Sequence, residues 1–460
     1  MKRINIFLSQ NNICNNLKGK IMCIFYYIYK FNIKFFLISI LFCIMYIFLF
    51  SNINNLNSIN HINIGYYCKS IKYGGVARVM AQLINYFSNG NKLINYLLTI
   101  KGILPDEYPI PNNTIRISLQ NQNISIFEAI EKYHIDILII FLIYNFYVKK
   151  DIEKLNKLNN TKVIFYDHSS YFYWIYLNVH NFTNSFYNLY KESKYVISLI
   201  PVENYYLFKK WGINSILMDN PTTFEYKYVT PSELKEKNII MVGRAHDKIK
   251  RFDLGIKSMK VILKDIPNCE MNIVSAHNNH YQRLIEKLNL SEHVRFVGFK
   301  KKVETYFKNS SLHIMPSLGE AYPMVLGEAK IFGVPTILCG LDYISLAKGG
   351  NIIIYDDNPI IIAKEAIKIL KDDKYRMLLG KKARESMKNH TNKIIANKWF
   401  NIIKSVYKGD NKSYHKVSEN DNKLSDEERD IILNNQYKLF IKRNPKFRNL
   451  TFQNFIDFNF

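Results

Sequence analysis

Residues 312–338 read LHIMPSLGEAYPMVLGEAKIFGVPTIL and contain the pattern that decides the fold. The apolar run Leu312–Met315 predicts a buried strand, and a loop with Gly319 follows it. A helix is predicted over Met324–Phe332, because Pro323 is a favoured residue in a first helical turn. The apolar run Pro335–Leu338 predicts the next strand. Strand, loop, helix and strand in this order are typical of a parallel sheet with crossover helices.

The same alternation fills most of the chain from residue 60 onward. Strands are predicted in a first half at Ile62–Tyr67, Tyr96–Ile100, Asp136–Phe141, Lys162–Tyr166 and Tyr195–Leu199, and in a second half at Asn238–Val242, Met271–Ser275, Val294–Val297, Leu312–Met315 and Pro335–Leu338. The fold class is therefore α/β, with two Rossmann-like domains over residues 60–230 and 238–390. The charged stretch Glu233–Lys237 is predicted to be the hinge between them.

The C-terminal part of the chain changes in composition. A helix is expected over residues 391–408, and residues 409–460 are expected to form a linker and a helical extension. Gly409–Lys423 is polar and is predicted to be the linker. Ser425 and Glu428 have capping-box spacing before the apolar run Ile431–Ile441, which predicts one more helix. The sequence indicates no function for this extension.

Composition excludes several classes of protein. The chain has 460 residues, of which 48% are hydrophobic and 22% charged, so it has ample material for folded cores. It has 6 cysteines and no CxxC pair, which argues against a zinc ribbon or a thioredoxin-type site. The net charge of +25 invites a nucleic-acid or membrane-surface interpretation. However, the lysines are spread through ordinary amphipathic helices and no RNA-binding motif is present, so we expect no nucleic-acid partner.

One segment near the N-terminus is apolar enough to suggest a membrane anchor. Residues 35–50 read FFLISILFCIMYIFLF and contain no charge. Residues 1–34 form a basic tail without any acid, so the positive-inside rule predicts a cytoplasmic N-terminus. The sequence therefore predicts a single-pass membrane protein with a transmembrane helix over residues 35–50, and it leaves the side occupied by the folded domains open.

The loop and helix that follow Met315 are also the best candidate for a binding site. The first-turn amides around Tyr322, Pro323, Met324 and Val325 are unpaired within the helix and can bind an anion at the carboxyl edge of a sheet. Glu320 precedes this helix and Glu328 lies inside it, so the two carboxylates can meet different parts of one ligand. Taken singly, each glutamate is more simply explained as a capping or surface residue.

Three further features follow predicted strands and face the same kind of edge. Arg244 and Lys250 lie in the turn after Asn238–Val242, where charge-assisted hydrogen bonds to a phosphate are each worth roughly 1.5–3 kcal/mol. Gly74 and Gly75 form a turn after the first strand that allows close approach of a ligand. His168 follows the strand Lys162–Tyr166. Considered alone, the basic turn is more simply explained as a solvated surface and the histidine as a structural residue.

Together these residues resemble the family 4 glycosyltransferases of the GT-B fold over roughly residues 60–407. The Glu-x7-Glu signature is matched by Glu320 and Glu328, and Gly333-Val-Pro335 follows it. Gly74-Gly75, His168 and Gly243-Arg244 with Lys250 occupy the other family positions. Two departures are Arg251, where the family has glycine, and Ser275-Ala-His277, where a Gly-x-Gly is common. Trp399 and Tyr407 occupy the kind of helix that crosses back onto the first domain in this fold.

The resemblance implies a retaining, metal-independent glycosyltransferase, with a hexosyltransferase most expected. The first domain would bind the acceptor, which is an unknown glycan, lipid or protein. The second domain would bind a UDP- or GDP-linked sugar as donor substrate, with no other cofactor.

The resemblance also implies a role for each candidate site residue. Arg244 and Lys250 would neutralise the diphosphate, Glu320 would hold donor-sugar hydroxyls and Glu328 the ribose hydroxyls. His168 would contact the donor sugar, and Gly75 would approach the phosphate.

Two other functions stay open from the sequence. The same fold could perform nucleotide-sugar epimerisation or hydrolysis, which differs from transfer in needing no sugar acceptor. Alternatively, the charge of +25 could belong to a non-catalytic, membrane-tethered protein that binds polyanions.

Overall fold

Two parallel sheets form the framework of the protein in the computed structural model. The structure describes residues 61–141, 160–170, 193–205, 212–416 and 424–456, except positions 73, 89, 91 and 214, and also residues 154, 155, 158, 172 and 190. Within this part of the chain, the first sheet has the order β3-β2-β1-β4-β5-β6-β7 and the second the order β10-β9-β8-β11-β12-β13. All recorded strand pairs are parallel. The prediction of two α/β sheets in series is confirmed.

The first sheet is built from short, buried strands with helices between some of them. Its strands are β1 (Ile62–Cys68), β2 (Leu93–Thr99), β3 (Ile115–Ser118), β4 (Ile137–Ile140), β5 (Lys162–Tyr166), β6 (Tyr195–Ser198) and β7 (Ser215–Leu217). Its helices are α1 (Gly75–Phe87), α2 (Leu119–Gln122) and α3 (Ile126–Lys132). Every residue of β4 and β6 is buried, as expected for parallel strands that are covered on both faces.

The second sheet follows the predicted alternation closely. Its strands are β8 (Asn238–Val242), β9 (Glu270–Val274), β10 (Val294–Phe296), β11 (Leu312–Met315), β12 (Thr336–Cys339) and β13 (Asn351–Ile354). Its helices are α4 (Phe252–Asp265), α5 (Asn279–Lys287), α6 (Glu304–Lys308), α7 (Met324–Ile331), α8 (Pro359–Lys371) and α9 (Asp373–Ser386). The order of strands reverses between β8 and β11, and a parallel α/β sheet binds ligands at such a point.

The expected crossing helix returns to the first domain. This helix is α10 (Asn392–Lys408), and it lies next to α1 and β4. Trp399 is fully buried in it and packs edge-on against Tyr166 of β5, with 5.0 Å between the ring centroids. Because aromatic rings attract in this geometry, the contact holds the helix against the first sheet.

The prediction that Gly409–Lys423 forms a linker is partly wrong. Residues Asn411–Lys416 form a helix, α11, and the buried Tyr414 hydroxyl in it donates to the Val196 carbonyl (2.9 Å). The helix was not predicted because the stretch is mostly polar, and Tyr414 alone does not make a recognisable apolar pattern. The predicted capping box is confirmed, since Ser425 and Glu428 exchange hydrogen bonds at the start of α12 (Asp426–Arg443). A last helix, α13 (Phe452–Ile456), follows.

The predicted basic tail (1–34) and transmembrane helix (35–50) lie outside the described residues. Within the part that the structure describes, no helix combines the length and apolar character that crossing a membrane requires.

Candidate functional site

The predicted site residues follow strands β1, β5, β8 and β11, whose carboxyl ends lie at the ligand-binding edges of the two sheets. Gly74 and Gly75 come after β1, and His168 comes after β5. Arg244 and Lys250 come after β8, and Glu320 comes after β11.

The starts of α1 and α7 approach each other between the two domains. A Cβ atom placed on Gly75 would lie 3.4 Å from Met324 Cγ, and one on Gly74 would lie 3.8 Å from Arg244 Nη1. Gly74 also has a φ of +89°, a conformation that favours glycine. Neither helix has an acidic residue in its first turn. Two helix amino termini and one guanidinium therefore converge on a space that suits an anion.

Lys250 and Glu320 form an ion pair at this point, with 2.5 Å between Nζ and Oε1. Their side chains are only 17% and 11% exposed, so water screens the pair less than it screens a surface pair. The two loops that carry them are also joined through the backbone, where the Leu318 N–H donates to the Ile249 carbonyl (2.8 Å). The structure thus brings together two site residues that the sequence predicted separately.

Arg244 lies on the more open side of the turn. Its side chain is 55% exposed and donates to Asp247 Oδ2 (3.0 Å). The turn itself is held by the loop after β9, because the Ala245 N–H donates to Ser275 Oγ (2.8 Å) and Asn278 Nδ2 donates to the Ala245 carbonyl (3.1 Å). Ser275 therefore supports the basic turn at the place where the family more often has a glycine.

Glu328 is buried, with 1% of its side chain exposed. Its Oε1 accepts hydrogen bonds from Arg78 of α1 and from Thr223 Oγ1, the second at 2.7 Å. Burial raises the pKa of the Glu328 carboxyl, and the Arg78 guanidinium and the Thr223 hydroxyl oppose that rise. These two hydrogen bonds link the two domains. They use the same carboxylate that, by the family resemblance, would bind the ribose hydroxyls. Arg78 and Thr223 were not predicted as site residues, although Arg78 lies one turn after the Gly74-Gly75 pair.

His168 is packed between aromatic rings of the first domain. It stacks on Phe141 with 5.6 Å between ring centroids and lies 4.2 Å from the Tyr166 ring. Burial lowers the pKa of His168 to about 3, so the imidazole is neutral at physiological pH. Its Nε2 has no hydrogen-bond partner among the described residues. A neutral imidazole with a free ring nitrogen can exchange hydrogen bonds with a sugar hydroxyl.

Tyr343 joins the loop after β5 to the Glu320 loop. The Glu320 N–H donates to the Tyr343 hydroxyl oxygen (3.2 Å), and Ser170 Oγ lies 3.5 Å from the same oxygen. The Phe172 ring packs on Tyr343, with 4.7 Å between centroids. His168 and Glu320 lie on different domains, and Tyr343 connects the loops that carry them through its contacts with Ser170 and with the Glu320 N–H. Tyr343 was not predicted individually, because it lies in a loop without a motif.

The loop that leads into α7 contains buried hydroxyl groups without hydrogen-bond partners among the described residues. Tyr322 and Ser317 are buried, and their hydroxyls have no hydrogen-bond partner within the described residues. Burial also raises the pKa of Tyr322 well above its ordinary value, so the phenol stays a neutral donor. Pro323 occupies the position before the first helical residue, and Met324 begins the helix. Among the described residues, no group of three His, Cys, Asp or Glu side chains could hold a metal ion.

Comparison with known proteins identifies the second domain. Residues 223–386 match the family described as glycosyl transferases group 1, so this part of the chain is such a domain. The match includes Arg244, Lys250, Glu320 and Glu328, whereas Gly74, Gly75 and His168 lie outside it.

Several curated proteins are similar to part of the chain. It is 28% identical over 145 residues to an uncharacterized glycosyltransferase of Haemophilus influenzae, covering 31% of this chain and 40% of the relative. It is 27% identical over 122 residues to the amylovoran biosynthesis glycosyltransferase AmsD of Erwinia amylovora, covering 26% and 34%. The chain thus matches at most 40% of the length of either relative.

Solved structures resemble the fold over most of the described chain. Sucrose-phosphate synthase of Thermosynechococcus elongatus superimposes with a TM-score of 0.61 at 17% identity, covering 76% of this chain and 100% of the other. Anabaena HepE in complex with UDP and glucose gives 0.60 at 12% identity, covering 75% and 100%. At these identities the likeness concerns the fold, which is the two-domain GT-B arrangement.

Proposed function

We propose, from the premise that residues 223–386 are a group 1 glycosyl transferase domain, that this protein is a glycosyltransferase that takes a nucleotide diphosphate sugar as donor. The acceptor is a glycan, lipid or protein. UDP-glucose is the first donor to test, because the Anabaena HepE structures of the same fold contain UDP and glucose.

The observation that carries the proposal is the meeting of α1, α7 and the basic turn at one point. Gly75 faces Met324 and Gly74 faces Arg244, while Lys250 contacts Glu320. Amides and cations arranged in advance around a leaving group lower a barrier most where negative charge develops. In glycosyl transfer from such a donor, that charge develops on the departing diphosphate.

For the other residues we propose the roles that the family resemblance implies, and their surroundings are compatible with those roles. When the diphosphate binds Lys250 and breaks the Lys250–Glu320 ion pair, Glu320 accepts hydrogen bonds from donor-sugar hydroxyls. Glu328 binds ribose hydroxyls while sharing its carboxylate with Arg78 and Thr223. His168, neutral and with a free Nε2, contacts the sugar from the first domain.

We also propose that transfer retains the configuration of the anomeric carbon and needs no metal. The resemblance to family 4 glycosyltransferases supports both properties, and Lys250 with Arg244 supplies positive charge at the leaving group. Anchoring by residues 35–50 stays part of the proposal, with the side of the membrane left open.

A donor screen with the full-length protein in detergent tests the function. We expect UDP or GDP to raise the thermal unfolding midpoint and UMP or GMP to raise it much less, because the second phosphate reaches Lys250. Sugar transfer to a mixed glycan and lipid acceptor pool is then followed with the donor that binds, with and without EDTA. NMR of the product gives the anomeric configuration. Failure of both diphosphates and of their sugars to bind would refute the proposal, and equal product without acceptor would indicate a hydrolase instead.

A further inference from the structure

The C-terminal helix α12 packs on the second domain beside the ends of β12 and β13. Leu439 lies over Gly340, and Gln436 Nε2 donates to the Gly340 carbonyl (2.9 Å) and to Asp342 Oδ1 (2.5 Å). Leu439 and Phe440 are buried. The extension, which lies beyond the matched residues 223–386, is therefore attached to the domain that carries the donor site.

Arg443, the last residue of α12, is bound to a carboxylate next to that site. Its Nε donates to Asp357 Oδ2 (3.1 Å) and its Nη2 to Asp357 Oδ1 (3.0 Å), a two-point contact that fixes orientation as well as distance. Arg251 Nη1 donates to the same Oδ1 (2.7 Å). Only 7% of the Arg443 side chain is exposed. Burial acts to raise the pKa of Asp357, but the two guanidiniums outweigh it and the pKa is lowered, so the carboxylate stays charged between them.

The same arginine also reaches the loop that carries Glu320. Arg443 Nη1 lies 3.5 Å from the Leu318 carbonyl, and the Leu318 N–H donates to the Ile249 carbonyl. Arg251 directly follows Lys250 and has a φ of +49°, a left-handed conformation that is strained for a side chain other than glycine. Its bond to Asp357 helps to hold that conformation. Arg443 thus contacts, directly or through Asp357, both loops that form the Lys250–Glu320 pair.

We propose that Arg443 is a positioning residue for the donor site. It holds the turn 247–251 and the loop 317–320 in the relative placement that presents Lys250 and Glu320 to a nucleotide diphosphate. The C-terminal extension is on this view part of the donor site's framework. The ligand class rests on the proposed function, whereas the positioning role does not.

The test compares two adjacent residues of one helix in the full chain. Arg443→Met keeps an unbranched apolar side chain and removes both contacts, and Arg443→Lys keeps the charge without the two-point geometry. Lys442→Met is the matched control, because Lys442 forms a half-exposed ion pair with Asp356 (2.5 Å) on the same helix.

Amide hydrogen exchange without ligand is the first measurement. We expect the amides of residues 249–251 and 318 to exchange at least tenfold faster in Arg443→Met, an intermediate effect in Arg443→Lys, and no change there in Lys442→Met. Unchanged exchange at these amides in folded Arg443→Met would overturn the positioning role, whether or not any nucleotide binds.

Calorimetric titration with UDP and GDP is the second measurement. Whichever diphosphate the parent binds should bind Arg443→Met at least fivefold more weakly and Lys442→Met equally well. An Asp357→Asn variant should show the same loss, and combining it with Arg443→Met should add little, because both act through one contact. Unchanged affinity in Arg443→Met would remove the role in donor binding. A parent that binds neither diphosphate, with faster exchange in Arg443→Met, would instead contradict the proposed function and leave the positioning role supported.

Discussion

At the scale of single residues, the Lys250–Glu320 pair is the contact that a donor would rearrange under the proposed function. Both side chains are largely buried, so each is stabilised by the other more than by water. A diphosphate that enters the site offers Lys250 a doubly charged partner, and the sugar hydroxyls offer Glu320 hydrogen-bond donors. The two charges compensate each other in the pair, and under the proposed function they would bind different parts of one ligand.

Removing either partner should impair transfer more than folding. We expect Lys250→Ala and Glu320→Gln each to lower the rate of sugar transfer at least tenfold, which corresponds to about 1.4 kcal/mol of barrier. The rate is measured with saturating acceptor, and circular dichroism verifies the fold. Lys248→Ala is the control, because this lysine lies in the same turn and is exposed. Full activity in both site variants would show that the pair is not part of the active centre.

Lys250, Glu320 and Glu328 were predicted from the sequence, but Arg78 and Thr223, which contact Glu328, were not. Lys250 and Glu320 were visible because each lies in a turn after a predicted strand. Arg78 and Glu328 are 250 positions apart and Thr223 and Glu328 are 105 apart, so their contacts depend on how two domains meet. A single sequence carries no local pattern for such a contact. The assigned chemical roles stay predictions.

At the scale of elements, the strands that the sequence did not predict all lie at sheet edges within the described residues. These are β3, β7 and β13. β3 reads IRIS and alternates apolar and polar residues, so it lacks the continuous apolar pattern of a central strand. β13 reads NIII, and this short apolar run was not recognised as a strand although its residues are mostly only partly buried. β7 has 3 residues, too few for any periodicity. The central strands, buried on both faces, were predicted to within a few residues.

The helix α12 was predicted by its cap, but its docking was not. Ser425 and Glu428 mark its start locally, whereas the residues that attach it include Gln436 and Arg443, which would ordinarily be assigned to solvent. Polar residues become buried here because Gly340 and Asp342 after β12 and Asp357 after β13 supply matching partners. Only the tertiary structure reveals that match.

Gly340 should be essential for this docking. Its φ is +66°, and a Cβ atom at this position would lie 2.1 Å from Leu439 Cδ2. We expect Gly340→Ala to lower the free energy of unfolding by about 1–3 kcal/mol, through backbone strain and displacement of the buried leucine. Urea unfolding measures the loss. Gly90→Ala is the control, since nothing lies within 4 Å of its added Cβ. Equal stability of the two variants would mean that Leu439 of α12 is not packed closely against Gly340.

At the scale of the whole molecule, a few contacts of different kinds join the two domains. Trp399 packs on Tyr166, Tyr414 bonds to the Val196 carbonyl, and Lys301 pairs with Asp106 (3.1 Å). The Arg78–Glu328 pair is the most buried ion pair among them. It lies where the ribose is proposed to bind, so the contact that joins the two domains and the proposed contact with the donor use the same carboxylate. Under the proposed function, ligand binding and domain arrangement are therefore coupled through Glu328.

Arg78→Met tests this coupling, because it leaves the buried Glu328 carboxylate without its cation. Breaking a buried pair on one side costs about 3–5 kcal/mol, so we expect a loss of about 3 kcal/mol in urea unfolding. The double variant Arg78→Met/Glu328→Gln should recover part of that stability, since the buried charge is gone. Arg116→Met is the matched control, because Arg116 pairs with the buried Glu107 inside the first domain. Both single variants should be less stable, but only Arg78→Met should increase the radius of gyration in small-angle scattering. An unchanged radius in Arg78→Met, with no recovery in the double variant, would show that this pair does not hold the domains together.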